Sequence, residues 1–358
     1  MPRPSGAFAA FILWLVAITL LDRATPVQLD LSIFYALAVV VAGWFMGKKV
    51  GVLTGLISSM MHLVADAAYL GGGGYLAGNE VFHTALLVLL GWAAGQERER
   101  VRKIAEQRDE LAQAQASIRS SLEAAQRVQR AFLTQDLPDD PRVEVFIRFS
   151  TTMKLGGDFY DIHREGDWIY ACVADVSGKG PPAALVTGLL RGFLDANRKR
   201  RGRPDELLTR INGQLFPYIP EEMFVTCIFV ALNLASGELV YASAGHDPGM
   251  LRRAGSVDEL PATGLPLGVM PENPVDARRM TLAPDEILLL YTDGLVNARF
   301  DGEERLGDLR VKETLRAHQG DVAGLVGDLF SLTEDLREAS QEDDVVVMAL
   351  RRLGGVKT

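Results

Sequence analysis

From Glu97 to Leu133 the chain holds neither glycine nor proline, and Ile104, Leu111, Ile118, Ala125 and Phe132 recur at intervals of seven. A sustained heptad row specifies a long helix with a coiled-coil seam. The second apolar row is poor, because Arg108, Gln115 and Gln129 stand where Leu122 alone is well suited. The expectation is an adjustable parallel homodimer, its linker helix able to carry a change ~50 Å at ~1.5 Å rise per residue. This connector divides the chain into residues 1–96, 97–137 and 138–358.

The first segment is apolar. Stretches 8–21, 31–46, 50–70 and 81–94 suggest an all-α membrane domain of about four spans, the first, second and fourth of them shorter than the ~20 residues that cross a bilayer. Arg3, Lys48 and Lys49, and then Arg98, Arg100, Arg102 and Lys103 fall on one side, while Asp22, Asp30 and Glu80 fall on the other. Positive charge marks the cytoplasmic side, so both termini are expected there and the protein is expected in the plasma (inner) membrane. A cleaved signal peptide would account for the first stretch but not for the other three. His62 and Asp66 lie four apart, with His83 on the next stretch; they are read as pairing between helices, a sensor role being the alternative. Gly71 to Gly74 reads as a flexible turn.

Beyond Pro138 the pattern changes to short β-like runs at 143–149, 168–174, 224–233, 239–244, 287–291 and 345–350, with helical segments at 182–199, 205–218 and 322–339. Turns such as Ala235-Ser236-Gly237 join neighbouring runs, which favours antiparallel hairpins and an α+β sandwich. The formal charge of −9 lacks the basic footprint of a nucleic-acid binder. Cys172 and Cys227 lie inside strand-like runs and form no disulfide framework. Arg198, Lys199, Arg200, Arg201 and Arg203 read as a solvated basic loop.

Four aspartates stand at strand ends or turns: Asp158 in Gly-Gly-Asp-Phe-Tyr-Asp, Asp175 in Ala-Asp-Val-Ser-Gly-Lys-Gly, Asp293 in Tyr-Thr-Asp-Gly, and Asp343 in Glu-Asp-Asp. Carboxylates gathered at one edge of a sheet repel each other unless a cation neutralises them, and an all-oxygen donor set favours hard ions such as Mg²⁺ or Mn²⁺. Gly156, Gly157, Gly178, Gly180 and Gly294 permit tight turns beside them.

In this frame the residues resemble the metal-dependent protein phosphatases of the 2C type (PP2C), in the bacterial branch of stage II sporulation protein E (SpoIIE) and the sigma-factor-regulating phosphatases. The resemblance covers about residues 123–351 and begins with the helix end 125–133 and Leu137-Pro138. It continues in order through the four aspartate motifs, with Ala244-Gly245-His246 and Leu265-Pro266-Leu267-Gly268 between them. It implies a PP2C-like antiparallel sandwich flanked by helices. It also implies two divalent ions, with Asp175 bridging both, the Val176 carbonyl completing one, Asp293 and Asp343 holding the second, and Asp158 near the first. Asp343 is chosen over Asp344, and Asp161 and Asp344 are read as supporting or turn residues. Asp247-Pro248 after His246 departs from the family's usual pair of prolines, and Val296-Asn297-Ala298 from a more common glutamate pattern; His246 itself reads as a turn histidine.

The implied activity is a membrane-anchored protein serine/threonine phosphatase in which a metal-activated water attacks the phosphoryl group. The implied partner is a phosphorylated anti-sigma-factor antagonist. A nucleotide P-loop around Gly178-Lys179 fails, since position 173 is Val and Gly180 follows the lysine. Neither cysteine is followed at the needed interval by a phosphate-binding arginine. The rival from another class is a membrane receptor whose phosphatase-like domain only binds a signalling partner.

Overall fold

The computed structural model describes residues 13–21, 24, 32–67, 76–133, 136–151, 154–300, 304–334 and 343–354. Asp22, Asp30, Gly71 to Gly74 and Glu342 lie outside them. The chain forms two compact units, Met1–Ser117 and Ile118–Thr358.

The second unit is built on two five-stranded sheets. The first has the order β1 (Val143–Ser150), β12 (Val345–Arg352), β9 (Ile287–Tyr291), β6 (Gly249–Arg252) and β7 (Val257–Leu260). The second runs β2 (Phe159–Glu165), β3 (Trp168–Val176), β4 (Val225–Asn233), β5 (Glu238–Ala244) and β8 (Arg278–Thr281), and β10 (Arg299–Phe300) pairs with β11 (Glu304–Arg305) in a separate hairpin. Every strand pairing in both sheets is antiparallel.

Period-two alternation sorts the side chains into layers. In β12, Val346, Met348 and Leu350 join Leu288 and Leu290 of β9 and Ile228, Val230 and Leu232 of β4 in the core between the sheets. The alternate residues Val345, Val347 and Ala349 face outward instead, with Leu289 and Tyr291, onto helices Gly307–Ala317 and Val322–Glu334. On the opposite side Cys172, Ala174, Cys227 and Phe229 meet helices Pro181–Ala196 and Pro204–Leu215. The strands are apolar on both faces because both faces are covered, and each fully buried Leu, Val or Phe contributes ~1.5–3 kcal/mol. The expected PP2C-like sandwich flanked by helices is present.

The described helices do not show the four expected spans. No described helix is long and apolar enough to cross a membrane. Helix Ser32–Met46 has 15 residues, a length of about 22 Å against a hydrocarbon core of about 30 Å. Helix Lys48–Ala67 starts on two lysines and carries Ser58, Ser59 and His62. The apolar run at 81–94 is only part of the 55-residue helix Leu76–Arg130, whose charged stretch follows at once. His62 and His83 do meet, with ring centroids 4.8 Å apart. The Asp66 side chain is not described.

The heptad row is also shortened. The long helix ends at Arg130, so Phe132 lies beyond it, and its ring packs where a Cβ on Gly188 would come within 3.0 Å. Ile104, Leu111 and Ile118 remain on the helix and exposed.

Candidate active site

Antiparallel pairing explains why residues far apart in sequence meet. Phe159 pairs with Ala174, so the start of β2 and the end of β3 share one sheet edge and bring Asp158 beside Asp175. Val347 pairs with Tyr291, so the end of β9 and the start of β12 bring Asp293 near Asp343 and Asp344.

Hydrogen bonds tie the two edges together. The Thr292 hydroxyl donates to Asp158 Oδ2 at 2.6 Å while accepting the Val346 N–H at 2.9 Å. The Gly157 N–H donates to Asp344 Oδ2 at 3.1 Å, and the Val176 N–H to the Gly157 carbonyl at 3.2 Å. At Gly294 a Cβ would stand 1.9 Å from the Asp344 carbonyl oxygen, and at Gly156 one would stand 2.0 Å from Asp344 Oδ2. Only glycine fits where the strand-end loops cross so closely.

Asp343 and Asp344 therefore divide their tasks. Asp344 is buried and holds the Gly156-Gly157 loop. Asp343 lies at the mouth, its side chain 44% exposed, with the Lys179 ammonium 3.2 Å from Oδ1. Asp293 accepts from the Asn297 side-chain amide at 2.9 Å.

The electrostatics are those of crowded carboxylates. Asp158 is pushed well above the ordinary range, first by burial and then by the charge of Asp175. Asp175 rises to about 7 through burial and the charges of Asp293 and Asp343. Burial and the charge of Asp343 also raise Asp293. Among the described residues no group of three or more acidic, histidine or cysteine side chains is already arranged to hold a metal ion. The donor set nonetheless fits hard divalent ions in kind, since its members are oxygens and their mutual repulsion is what such a charge cancels.

Other residues fall elsewhere. Asp161 does not join the cluster; it accepts from Arg191 at 2.7 Å and lies 3.6 Å from Arg201. Arg201 is thereby removed from the basic loop: it is buried against Asp161 and Asp195. His246 donates from Nε2 to the Tyr291 carbonyl at 3.0 Å and faces Thr226 Oγ1 through Nδ1 at 2.8 Å. Burial lowers it to about 4, so it stays neutral near pH 7. Asp247, the departure noted after His246, is raised to about 6 by burial and the charge of Asp293.

Sequence reasoning missed Thr292, Gln129 and Lys179. Thr292 was visible inside the Tyr-Thr-Asp-Gly motif, whereas the polarity of Gln129 looked only like a defect in a helical seam.

The model of the family described as "Stage II sporulation protein E (SpoIIE)" matches residues 165–353, a stretch that holds Asp175, Asp293 and Asp343. The chain belongs to the SpoIIE family. Among curated relatives it is 26% identical over 281 residues to phosphoserine phosphatase RsbU of Bacillus subtilis, covering 76% of this chain and 80% of that one. It is 25% identical to phosphoserine phosphatase RsbP of the same organism over 49% of this chain and 45% of RsbP. Among solved structures it is similar to the SiaA-PP2C domain of Pseudomonas aeruginosa, with a TM-score of 0.60 and 25% identity over 68% of this chain and 99% of that domain. The phosphatase domain of SpoIIE from Bacillus subtilis, solved with a fragment of its regulatory domain, shares the fold at a TM-score of 0.54 and 20% identity, over 60% of this chain and 64% of that one. By family and fold the chain is a PP2C-type protein serine/threonine phosphatase.

Proposed function

We propose that this phosphatase hydrolyses phosphoserine or phosphothreonine on a small regulatory protein of the anti-sigma-factor-antagonist kind, using two Mg²⁺ or Mn²⁺ ions. The observation that carries the reading is the convergence of Asp158 and Asp175 from one sheet with Asp293 and Asp343 from the other. Asp175, Asp158 and the Val176 carbonyl would hold one ion, with Asp175 shared, and Asp293 and Asp343 the other. A bound ion pair supplies charge for the phosphoryl oxygens and a water acidic enough to react near neutral pH. The chain's own part is to hold oxygens in place: Thr292 fixes Asp158, Asn297 fixes Asp293, and Asp344 fixes the Gly156-Gly157 loop. Cys172 and Cys227 are fully buried, so neither can attack a phosphoryl group on a protein substrate. RsbU and RsbP, both named phosphoserine phosphatases, support the phosphoserine substrate.

The test is Mn²⁺-dependent phosphate release from candidate phosphoserine proteins by the full chain, repeated with Asp175→Ala and Asp293→Ala. Each variant should lose turnover while keeping its circular dichroism spectrum. Undiminished activity in both rejects the ligand set.

Membrane placement of the first unit, with the catalytic unit cytoplasmic, belongs to the same reading. It is supported by exposed Leu13, Ile33, Phe45, Met60, Val81 and Phe82, an apolar surface that water does not favour. Gly51 and Gly91 support it too, since a Cβ on Gly51 would reach 2.5 Å from the Gly91 carbonyl, the close backbone packing common among helices in lipid. Resistance of the full chain to carbonate extraction from membranes would agree, and release into the supernatant would refute it. Dimerisation through Ile104, Leu111 and Ile118 is tested by sedimentation of the detergent-solubilised chain against its Leu111→Glu variant.

A further inference from the structure

Lys179 has no part in the reading above. It stands between Gly178 and Gly180, whose φ of 93° and 77° lie in the left-handed region that favours glycine. Neither glycine is there for room, because a Cβ at either would meet nothing within 4 Å. The loop is anchored just before this point: the Ser177 N–H donates to the Phe224 carbonyl at 2.9 Å, and the Phe224 N–H donates to the Ser177 hydroxyl at 2.8 Å. Immediately after it, Pro181 opens a 16-residue helix. The backbone thus forms a short, framed tip that presents one lysine at the carboxylate cluster.

The ammonium of Lys179 lies 3.2 Å from Asp343 Oδ1, with the two side chains 47% and 44% exposed. Its charge also acts on Asp293, where it opposes the upward push of burial and Asp343. An ion pair this open to water contributes little stability, so exchanging it for a phosphate contact costs little. The positive end of the helix that follows adds to the potential there. The two divalent ions of the reading above would balance the four carboxylate charges, but an incoming phosphoryl dianion brings further negative charge of its own. Lys179 sets a cation beside Asp343 at the mouth to meet it.

We propose that Lys179 is the substrate-phosphate contact of this site: its ammonium leaves Asp343 and binds the phosphoryl oxygens of the incoming phosphoserine or phosphothreonine. The lysine then adds positive charge to that of the ions and orients the phosphoryl group. No bond forms or breaks at its nitrogen. The inference rests on the phosphatase reading, and the experiment separates the two.

The full-length protein and its Lys179→Gln and Lys179→Arg variants would be compared in three measurements. These are phosphopeptide kinetics with Mn²⁺, competitive inhibition by inorganic phosphate, and Mn²⁺ binding by calorimetry without substrate. Loss of a charged hydrogen bond to phosphate should raise both KM and the inhibition constant for inorganic phosphate about 10-fold to 100-fold in Lys179→Gln, with a smaller change in kcat. Mn²⁺ should bind that variant as tightly as wild type or more tightly, because no ammonium competes for Asp343. Lys179→Arg should restore KM and phosphate inhibition. Unchanged phosphate inhibition in Lys179→Gln overturns the proposal, and so does a matching loss of Mn²⁺ affinity, which would make the lysine a structural partner of Asp343. A wild-type protein that neither binds Mn²⁺ nor releases phosphate sinks the phosphatase reading and this proposal together. An active wild type with an indifferent Lys179→Gln sinks this one alone.

Discussion

Gln129 and Gly156 are joined by two reciprocal hydrogen bonds: the Gln129 side-chain amide donates to the Gly156 carbonyl at 2.7 Å, and its side-chain carbonyl accepts the Gly156 N–H at 3.3 Å. Gly156 lies two residues before Asp158. One turn and a half earlier on the same helix, Glu123 pairs with Lys154 at 2.5 Å. The end of the long helix therefore grips the loop that carries the first aspartate of the site.

Replacing Gln129 with Ala should loosen that loop. Two neutral hydrogen bonds contribute ~1 kcal/mol each, so a stability loss of about 1–2 kcal/mol is expected in denaturant melts. Because the loop carries Asp158, Mn²⁺ affinity should fall as well. A drop in stability with unchanged Mn²⁺ affinity would show that the grip serves folding alone.

Gly294→Ala places a Cβ where only 1.9 Å separates it from a backbone oxygen of Asp344. Backbone cannot swing aside as a side-chain tip does, so the loops must part. Overpacking of this kind costs ~1–3 kcal/mol. Thermal melts should register that loss, and phosphatase activity should fall further than stability does, since Asp293 precedes the altered residue.

Stability of the chelator-treated protein should depend on pH through Asp175. Its folded pKa of about 7 lies above the ordinary carboxylate value of 3.8, so between those limits the folded state binds more protons than the unfolded one. Stability contributed by this group is full below pH ~4 and is lost as pH rises toward 7, by at most ~1.4 kcal/mol per pH unit. His246 acts oppositely, since its folded pKa of about 4 lies below the unfolded 6.5 and acid removes its contribution. The two are separated by Asp175→Asn, whose stability advantage over wild type should grow from pH 4 to pH 7 and shrink when Mn²⁺ is added. An advantage independent of pH would contradict the crowding of carboxylates.

The linker offers a mechanical test. Helix Leu76–Arg130 runs unbroken to the Gln129 grip, so each residue inserted near Ser120 rotates everything beyond it by ~100° relative to the preceding part. If signals pass along this helix, activity of the full-length protein should oscillate across insertions of one to four residues. A flat series would reduce the connector to a tether.

Local order was legible in the chain because it depends on neighbours. The runs at 143–149, 168–174, 287–291 and 345–350 stand within two residues of β1, β3, β9 and β12 at each end, since β-branched and aromatic residues bounded by turn formers identify a strand without reference to its partner. The aspartate motifs were legible for a similar reason, each being a carboxylate set in a short stretch of turn residues. β2 was missed: Phe-Tyr-Asp-Ile-His-Arg-Glu is half polar, and its strand state comes from full pairing with β3.

Tertiary structure alone decided the rest. Nothing local in the last strand, β12, shows that it pairs between β1 and β9, far back along the chain. That pairing sets which carboxylates become neighbours and which, like Asp161, are held elsewhere by arginines. It also turned Gln129, a polar interruption in an apolar seam, into the grip on the Asp158 loop, and Arg201 from a member of a basic loop into a buried ion partner. Periodicity records what a residue prefers beside its neighbours in sequence. The partner that a polar group finds across a long loop depends on how whole sheets close, and no short stretch of sequence carries that information.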